Sequence, residues 1–386
     1  MRQVLETLTV DPMIAPFLRA SRPVCVAFCA SVIFGTSATT SGSAQGDHAA
    51  DIAALRRKLE AQAGADRFAG VVLLGRLEAG TSRVLFREAY GPADREKAVA
   101  STIDTRFRIG SMNKMFTAVA ILQLVQAGKI RPTDPVGRYI PDYPNRVIAR
   151  KVTIHHLLTH TGGTGDIFGP EYDAHLHEMT THDDWIRLFG QRDPLFEPGT
   201  RYAYSNYGMV ILGVVIERVS RMSYYDYISE NVYRPAGMTH SGMPPESIPA
   251  DVRAVGYSRR EGGTRWTPTS VLGNRGIGAG GGYSTVGDLL NFAAALTSHE
   301  LLNAEYTNLL ITGKVDTGRG FRYAYGFGDS RTNGLGSVGH SGGAPGMNGD
   351  LRIYPGSGYV FVVLSNVDPP AASDISAFMH NRVMKW

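Results

Sequence analysis

The segment Met115-Phe116-Thr117-Ala118-Val119-Ala120-Ile121-Leu122-Gln123-Leu124-Val125 carries no charge and is apolar nearly all round. A helix apolar on every face must be covered on every side, so it belongs at the centre of a layered domain rather than on a surface. The elements available to cover it lie at both ends of the chain. Asp51 to Ala63 has helical periodicity. Phe68 to Arg76 and Ser82 to Tyr90 read as strands joined by a turn at Glu78-Ala79-Gly80. Asp350 to Tyr354 and Tyr359 to Asn366 read as strands, followed by a helix from Ala371 to Met384.

Between these ends the pattern is mainly helical. Tyr207 to Arg221 and Tyr224 to Tyr233 are helical, the second stopped by Pro235-Ala236-Gly237, and Ser284 or Thr285 caps a helix running to Leu296. Residues 131–200 are loop-rich, with one short helix, Thr153 to Leu158. The expected fold is therefore α/β (α+β): one part from residues 50–115 and 270–386, and a mainly helical insertion over residues 116–269, with a cleft between them as the natural substrate site. At 386 residues the chain has room for both parts.

The N-terminus carries an export pattern. Arg19 and Arg22 precede a short apolar run from Pro23 to Gly35, and small residues follow, ending near Ser43-Ala44 or Ser37-Ala38. The run is too short to span a bilayer. Residues 1–44 read as a signal peptide, with Met1 or Met13 as the start, and residues 45–386 as the functional domain of a periplasmic or secreted bacterial protein. Cys25 and Cys29 both lie in the apolar run, so the mature chain needs no disulfide. A net charge of +4, with no basic run or basic-aromatic stripe, argues against nucleic-acid binding.

Chemistry enters just before the apolar helix, at Ser111-Met112-Asn113-Lys114. The chain has seven lysines, and only this one has a serine three positions before it. On a helix, positions i and i+3 share a face. A lysine in the first turn of a buried helix is desolvated, which favours the neutral amine, and a neutral amine beside a hydroxyl is a base beside a nucleophile. Tyr204-Ser205-Asn206 follows Pro198-Gly199 and precedes an apolar helix that anchors it. A tyrosinate there would share the Ser111 proton if a nearby cation lowered its pKa, and Asn206 offers both donor and acceptor to Lys114 and to a substrate amide. Tyr143-Pro144-Asn145 has the same spacing, but no helix anchors it. His340-Ser341-Gly342-Gly343 is expected just before a strand. Its imidazole would position or protonate a leaving group or bind a carboxylate, and its glycines would let a substrate approach.

These three motifs, in this order, resemble the serine β-lactamase and penicillin-binding-protein superfamily, including class C β-lactamases, D-alanyl-D-alanine carboxypeptidases and β-lactamase-like esterases. Leu157-Leu158-Thr159-His160-Thr161-Gly162-Gly163, Phe196-Glu197-Pro198-Gly199 and Pro235-Ala236-Gly237-Met238 support the likeness, which spans roughly residues 50–385. The resemblance implies an antiparallel sheet flanked by helices. It makes Ser111, Lys114 and Tyr204 the catalytic residues, with Asn206, His340, Gly342 and Gly343 binding substrate, and the N–H groups of Ser111 and Gly343 forming the oxyanion hole. It implies no cofactor and no metal. The substrate would be a small ester, lactam or peptide. The chain departs from the lactamase pattern where His340 replaces a lysine, which removes a permanent cation suited to a β-lactam carboxylate.

The implied protein is an exported serine hydrolase that forms a covalent acyl-enzyme on an ester or amide, of broad esterase-like specificity. The alternatives are a D-alanyl-D-alanine carboxypeptidase or D-aminopeptidase, and a penicillin- or peptidoglycan-binding protein without turnover. Two rival sites are weaker. Gly339-His340-Ser341-Gly342-Gly343 fits the G-x-S-x-G elbow of α/β-hydrolases, but Thr332 to Ser337 before it is polar and glycine-rich, and Ala344-Pro345-Gly346 follows, so neither the required strand nor the required helix is expected. His175, His177, Glu178 and His182 lack the i, i+4 spacing of a helical zinc pair and read as surface groups.

Overall fold

The strand Tyr359–Ser365, YVFVVLS, is buried at every position. Its odd and even side chains enter different cores: Phe361 and Val363 on one face, Val360, Val362 and Leu364 on the other. The strand Gly70–Glu78 beside it divides in the same way, with Val72 and Leu74 opposite Val71 and Leu73. A strand this apolar without alternation is what a sheet covered on both faces requires.

The computed structural model describes residues 43–78, 81–248, 252–259, 263–269, 273–332 and 335–386. The candidate signal segment up to residue 42 and the first hairpin's tip at residues 79–80 lie outside these. An eight-stranded antiparallel sheet runs in the order Thr81–Tyr90, Gly70–Glu78, Tyr359–Ser365, Met347–Tyr354, Leu335–Ala344, Gly328–Thr332, Arg322–Tyr323, Val315–Asp316. Helices Ser43–Gly64 and Ala371–Val383 cover one face through Leu55, Leu59, Ile375 and Met379. The other face packs against the larger core, which includes helices Asn113–Gln126, Asn206–Ser220 and Val286–Thr297. Residues Ala44–Trp386 form one compact unit. The α/β arrangement from both chain ends is as expected, and no described helix is long and apolar enough to cross a membrane.

Three expectations change. His340 lies not before a strand but inside one, Leu335–Ala344, which pairs Gly339↔Arg352 through Ala344↔Met347 with its neighbour. The strand not expected at the elbow does exist and carries His340; the elbow fails at its other end, where Pro345-Gly346 turns the chain directly into the next strand with no helix, as Ala344-Pro345-Gly346 implied. The stretch 131–200 also holds more helix than its composition suggests. Asn145 caps Arg146–Lys151, and a capping box between Thr181 and Asp184 starts His182–Phe189.

Candidate active site

A short 3₁₀ turn, Gly110–Met112, delivers Ser111 to the start of helix Asn113–Gln126, and Lys114 sits in that helix's first turn. Gly110 takes φ +52, a left-handed conformation open to glycine. Lys114 is completely buried. Its Nζ lies 3.1 Å from Ser111 Oγ and 2.7 Å from Asn206 Oδ1, and it also contacts the Ala279 carbonyl. Burial pushes the amine down from 10.5 to about 7, with the Asp166 carboxylate opposing. Near neutral pH a large share of Lys114 is therefore free amine with a lone pair toward the Ser111 hydroxyl, which is what a general base needs.

Ala279 is itself held from the nucleophile helix. Asn113 Nδ2 donates to the Ile277 carbonyl at 2.7 Å, and the Thr117 hydroxyl donates to Gly278 at 2.7 Å. From the other side His182 Nε2 accepts the Gly278 N–H at 3.1 Å while Nδ1 meets Glu217 at 3.2 Å. His182 was expected on the surface among candidate metal ligands; it is buried, and it braces this turn instead. Among the described residues no cluster suits a metal ion.

Tyr204 and Asn206 stand at the start of helix Asn206–Ser220, which Ser205 caps by accepting from Gly208 N. The Tyr204 ring faces Lys114 Nζ at 4.8 Å. Burial raises the phenol pKa well above its ordinary value, and hydrogen bonding with Ser111 only partly opposes this. The tyrosinate expectation is thus overturned: the cation lies over the ring, and desolvation dominates. Burial thus favours the neutral phenol over the tyrosinate. The Tyr143-Pro144-Asn145 stretch is structural, with Tyr143 bonded to Tyr207 at 3.0 Å and Asn145 serving as a cap.

His340 Nδ1 lies 2.6 Å from the Ser341 carbonyl, which can only accept, so Nδ1 carries the proton. Nε2 lies 3.0 Å from the Tyr323 hydroxyl. Burial, aided by the Lys114 charge, pushes the imidazole well down, so it is neutral and Nε2 accepts from Tyr323. Neutrality was expected; a free N–H for a leaving group or a carboxylate is not there, because both nitrogens are engaged.

The hairpin closes at Ala344↔Met347, so Gly343↔Asn348 is a non-hydrogen-bonded pair and the Gly343 N–H points away from that neighbour. The strand on the other side ends its pairing at Gly328↔Gly339, which leaves this edge open. The 3₁₀ turn fills it: a Cβ on Gly110 would lie 3.4 Å from Gly343 N, and one on Gly342 would lie 2.1 Å from the Ile109 carbonyl oxygen and 3.1 Å from Ser111 N. Among the described residues the Ser111 N–H makes no backbone hydrogen bond outside its own turn. Two N–H groups thus converge beside one hydroxyl, as an oxyanion site requires.

Asp166 was not anticipated. With Tyr202, Tyr204, Arg319, Tyr323 and His340 it lines a cavity of about 600 Å³. Nothing marks it in the sequence, because it lies in a loop.

The sequence matches the Beta-lactamase family model over residues 55–383. The chain belongs to that family. It is 32% identical over 305 residues to PbpX of Bacillus subtilis (strain 168), a penicillin-binding protein by name, covering 78% of this chain and 71% of that one. Of other curated relatives it spans less, 65% and 35% of two of them. A penicillin-binding protein from Bacillus halodurans shares the fold at TM-score 0.74 and 31% identity, covering 86% of this chain and 98% of that chain. A D-stereospecific amidohydrolase from Streptomyces sp. does so at TM-score 0.69 and 26% identity, covering 84% and 96%. The family is one of serine hydrolases of the β-lactamase fold.

Proposed function

We propose that the protein hydrolyses small esters or amides through an acyl-enzyme on Ser111. The observation that carries this is the buried Lys114 amine 3.1 Å from Ser111 Oγ. Lys114 takes the hydroxyl proton as Oγ bonds to the substrate carbonyl carbon. The negative charge on the carbonyl oxygen is met by the N–H groups of Ser111 and Gly343. The carbonyl re-forms as the leaving group departs, taking a proton relayed from Lys114 through the Tyr204 phenol. Water then adds by the reverse path and frees the acid and Ser111. Asn206 keeps Lys114 in place and offers its amide to the substrate. His340, held neutral between Ser341 and Tyr323, shapes the wall and supplies no charge. A neutral acyl group suits this wall better than a β-lactam carboxylate, which supports an esterase-like specificity. The apolar run at the N-terminus supports export before the enzyme acts.

A second reading, hydrolysis of a peptide ending in a carboxylate, has one observation in its favour. Arg319 lines the cavity, and its guanidinium makes no hydrogen bond or ion pair among the described residues. The Streptomyces amidohydrolase named above is D-stereospecific by name. A panel of a p-nitrophenyl ester, nitrocefin and a D-alanyl-D-alanine peptide, run with wild type, Ser111→Ala and Arg319→Gln, separates these. The first reading predicts ester turnover lost in Ser111→Ala and kept in Arg319→Gln. Preferential peptide turnover with KM raised in Arg319→Gln selects the second, and undiminished turnover in Ser111→Ala defeats both.

A further inference from the structure

Asp166 is tied to the site through one residue. Asn206 Nδ2 donates to Asp166 Oδ1 at 2.9 Å and to Oδ2 at 3.2 Å, and the Asn206 backbone N–H reaches Oδ1 at 3.3 Å. On the other end of the same carboxamide, Oδ1 faces Lys114 Nζ at 2.7 Å. An asparagine amide has a donor end and an acceptor end of nearly equal shape, and only its surroundings decide which end faces which neighbour. A carboxylate can only accept, so Asp166 selects the NH₂ end and leaves the oxygen for the amine.

The loop that carries Asp166 is fastened to the same helix start. Ser205 Oγ donates to the Gly165 carbonyl at 2.5 Å, Arg192 donates to the Asp166 carbonyl at 2.8 Å, and the Ile167 N–H meets Asp166 Oδ1 at 2.7 Å. The carboxylate is therefore aimed by its backbone rather than free to rotate.

We infer that Asp166 is a positioning residue for acyl transfer: it locks the Asn206 carboxamide with its oxygen on Lys114 and supplies the negative charge that bears on that amine. This deepens the reading of Ser111 and Lys114 as nucleophile and base, and rests on it. The groups facing Lys114 from every side are Ser111 in the turn before its own helix, Asn206 and Tyr204 at the start of helix Asn206–Ser220, the Ala279 carbonyl, His160 and His340. Both imidazoles are pushed by burial toward the neutral form. Among these neighbours Asp166 is the group whose charge favours the protonated amine. A carboxylate acting through one intervening amide shifts such an equilibrium by on the order of one pH unit at intermediate dielectric.

The direction follows from the sign. Asp166 stabilises the ammonium, so removing its charge makes the free amine available at lower pH. Asp166→Asn keeps an acceptor for Asn206 but loses the charge. Asp166→Ala loses both, and Asp166→Glu restores the charge.

The test is the pH dependence of kcat/KM on a p-nitrophenyl ester for these three variants, wild type and Ser111→Ala, with thermal unfolding to confirm folding. The expected result is an acid limb lower by about one unit in Asp166→Asn with a plateau within about tenfold of wild type, a lower limb and a plateau down more than about tenfold in Asp166→Ala, and a limb returned toward wild type in Asp166→Glu. An acid limb in folded Asp166→Asn identical to wild type overturns the inference, as does an undiminished plateau in Asp166→Ala. Turnover surviving in Ser111→Ala would instead defeat the underlying reading. An inactive Ser111→Ala beside wild-type Asp166 variants defeats only this one.

Discussion

Replacing Lys114 by methionine should change how stability depends on pH, by an amount set by the burial of a single amine. Lys114 is 0% exposed, and burial brings its pKa from 10.5 to about 7. In the unfolded chain the amine holds its proton up to its ordinary pKa, so between about pH 7 and 10.5 the unfolded state binds more protons than the folded one. Stability therefore rises with pH across that window and is lowest below it. With one pKa unit equal to about 1.4 kcal/mol, the lysine costs the folded state about 5 kcal/mol at pH 6, about 3 at pH 8 and about 1 at pH 10. Methionine has no proton to lose. The other titrating groups are common to both proteins, and His160 and His340 are already neutral in this range. The stability of wild type minus that of Lys114→Met should thus move in favour of wild type by about 4 kcal/mol between pH 6 and pH 10. Urea unfolding followed by tryptophan fluorescence at three pH values, with m-values held equal, measures it. A difference constant to within about 1 kcal/mol over that range would refute the claim that Lys114 is desolvated enough to act as a base.

The same amine sets the rate: kcat/KM should fall about tenfold per unit below pH 7, and His340→Gln should leave that limb in place, because His340 is neutral throughout. A limb that disappears in His340→Gln would transfer the base to histidine. Gly342→Ala should lower kcat by about 10²-fold or more, because the new Cβ would meet the Ile109 carbonyl oxygen at 2.1 Å and displace an oxyanion donor; near-wild-type turnover of the esterase substrate would contradict the assigned hole. Gly213→Ala places a Cβ 2.7 Å from His182 Nε2 and should cost about 1–3 kcal/mol in urea unfolding together with activity, since His182 braces the turn that carries Ala279. Loss of stability without loss of activity would detach that brace from the site.

The site was legible where its chemistry is local in sequence. Ser111 and Lys114 meet because i and i+3 share a face, and the apolar run after them announces the burial that lowers the amine's pKa. Tyr204 and Asn206 were readable because Pro198-Gly199 and a following apolar helix frame them. The strand of His340 was not, because a strand is recognised by alternating bulky residues, and here Gly339 and Gly342 stand where side chains would strike neighbouring backbone, while Gly343 faces the Pro369 and Asn348 side chains. Of these glycines, Gly342 is the one that lets the nucleophile turn approach. Tyr204's protonation state depends on how deeply the whole fold buries the phenol, which no local pattern reports. Asp166 and His182 act across 40 and 96 residues of sequence, on Asn206 and Gly278. A lone carboxylate in a loop, or a histidine among acids, carries no sign of such a partner.

The central claim is that Ser111 carries the acyl group. Wild type and Ser111→Ala are mixed with a p-nitrophenyl ester, quenched in acid within the first turnovers and weighed intact, and the adduct is then mapped by peptide digestion. The account predicts a mass gain of one acyl group on wild type, confined to the peptide containing Ser111 and absent from the folded variant. An adduct on another residue, or hydrolysis in Ser111→Ala at the wild-type rate, would contradict it.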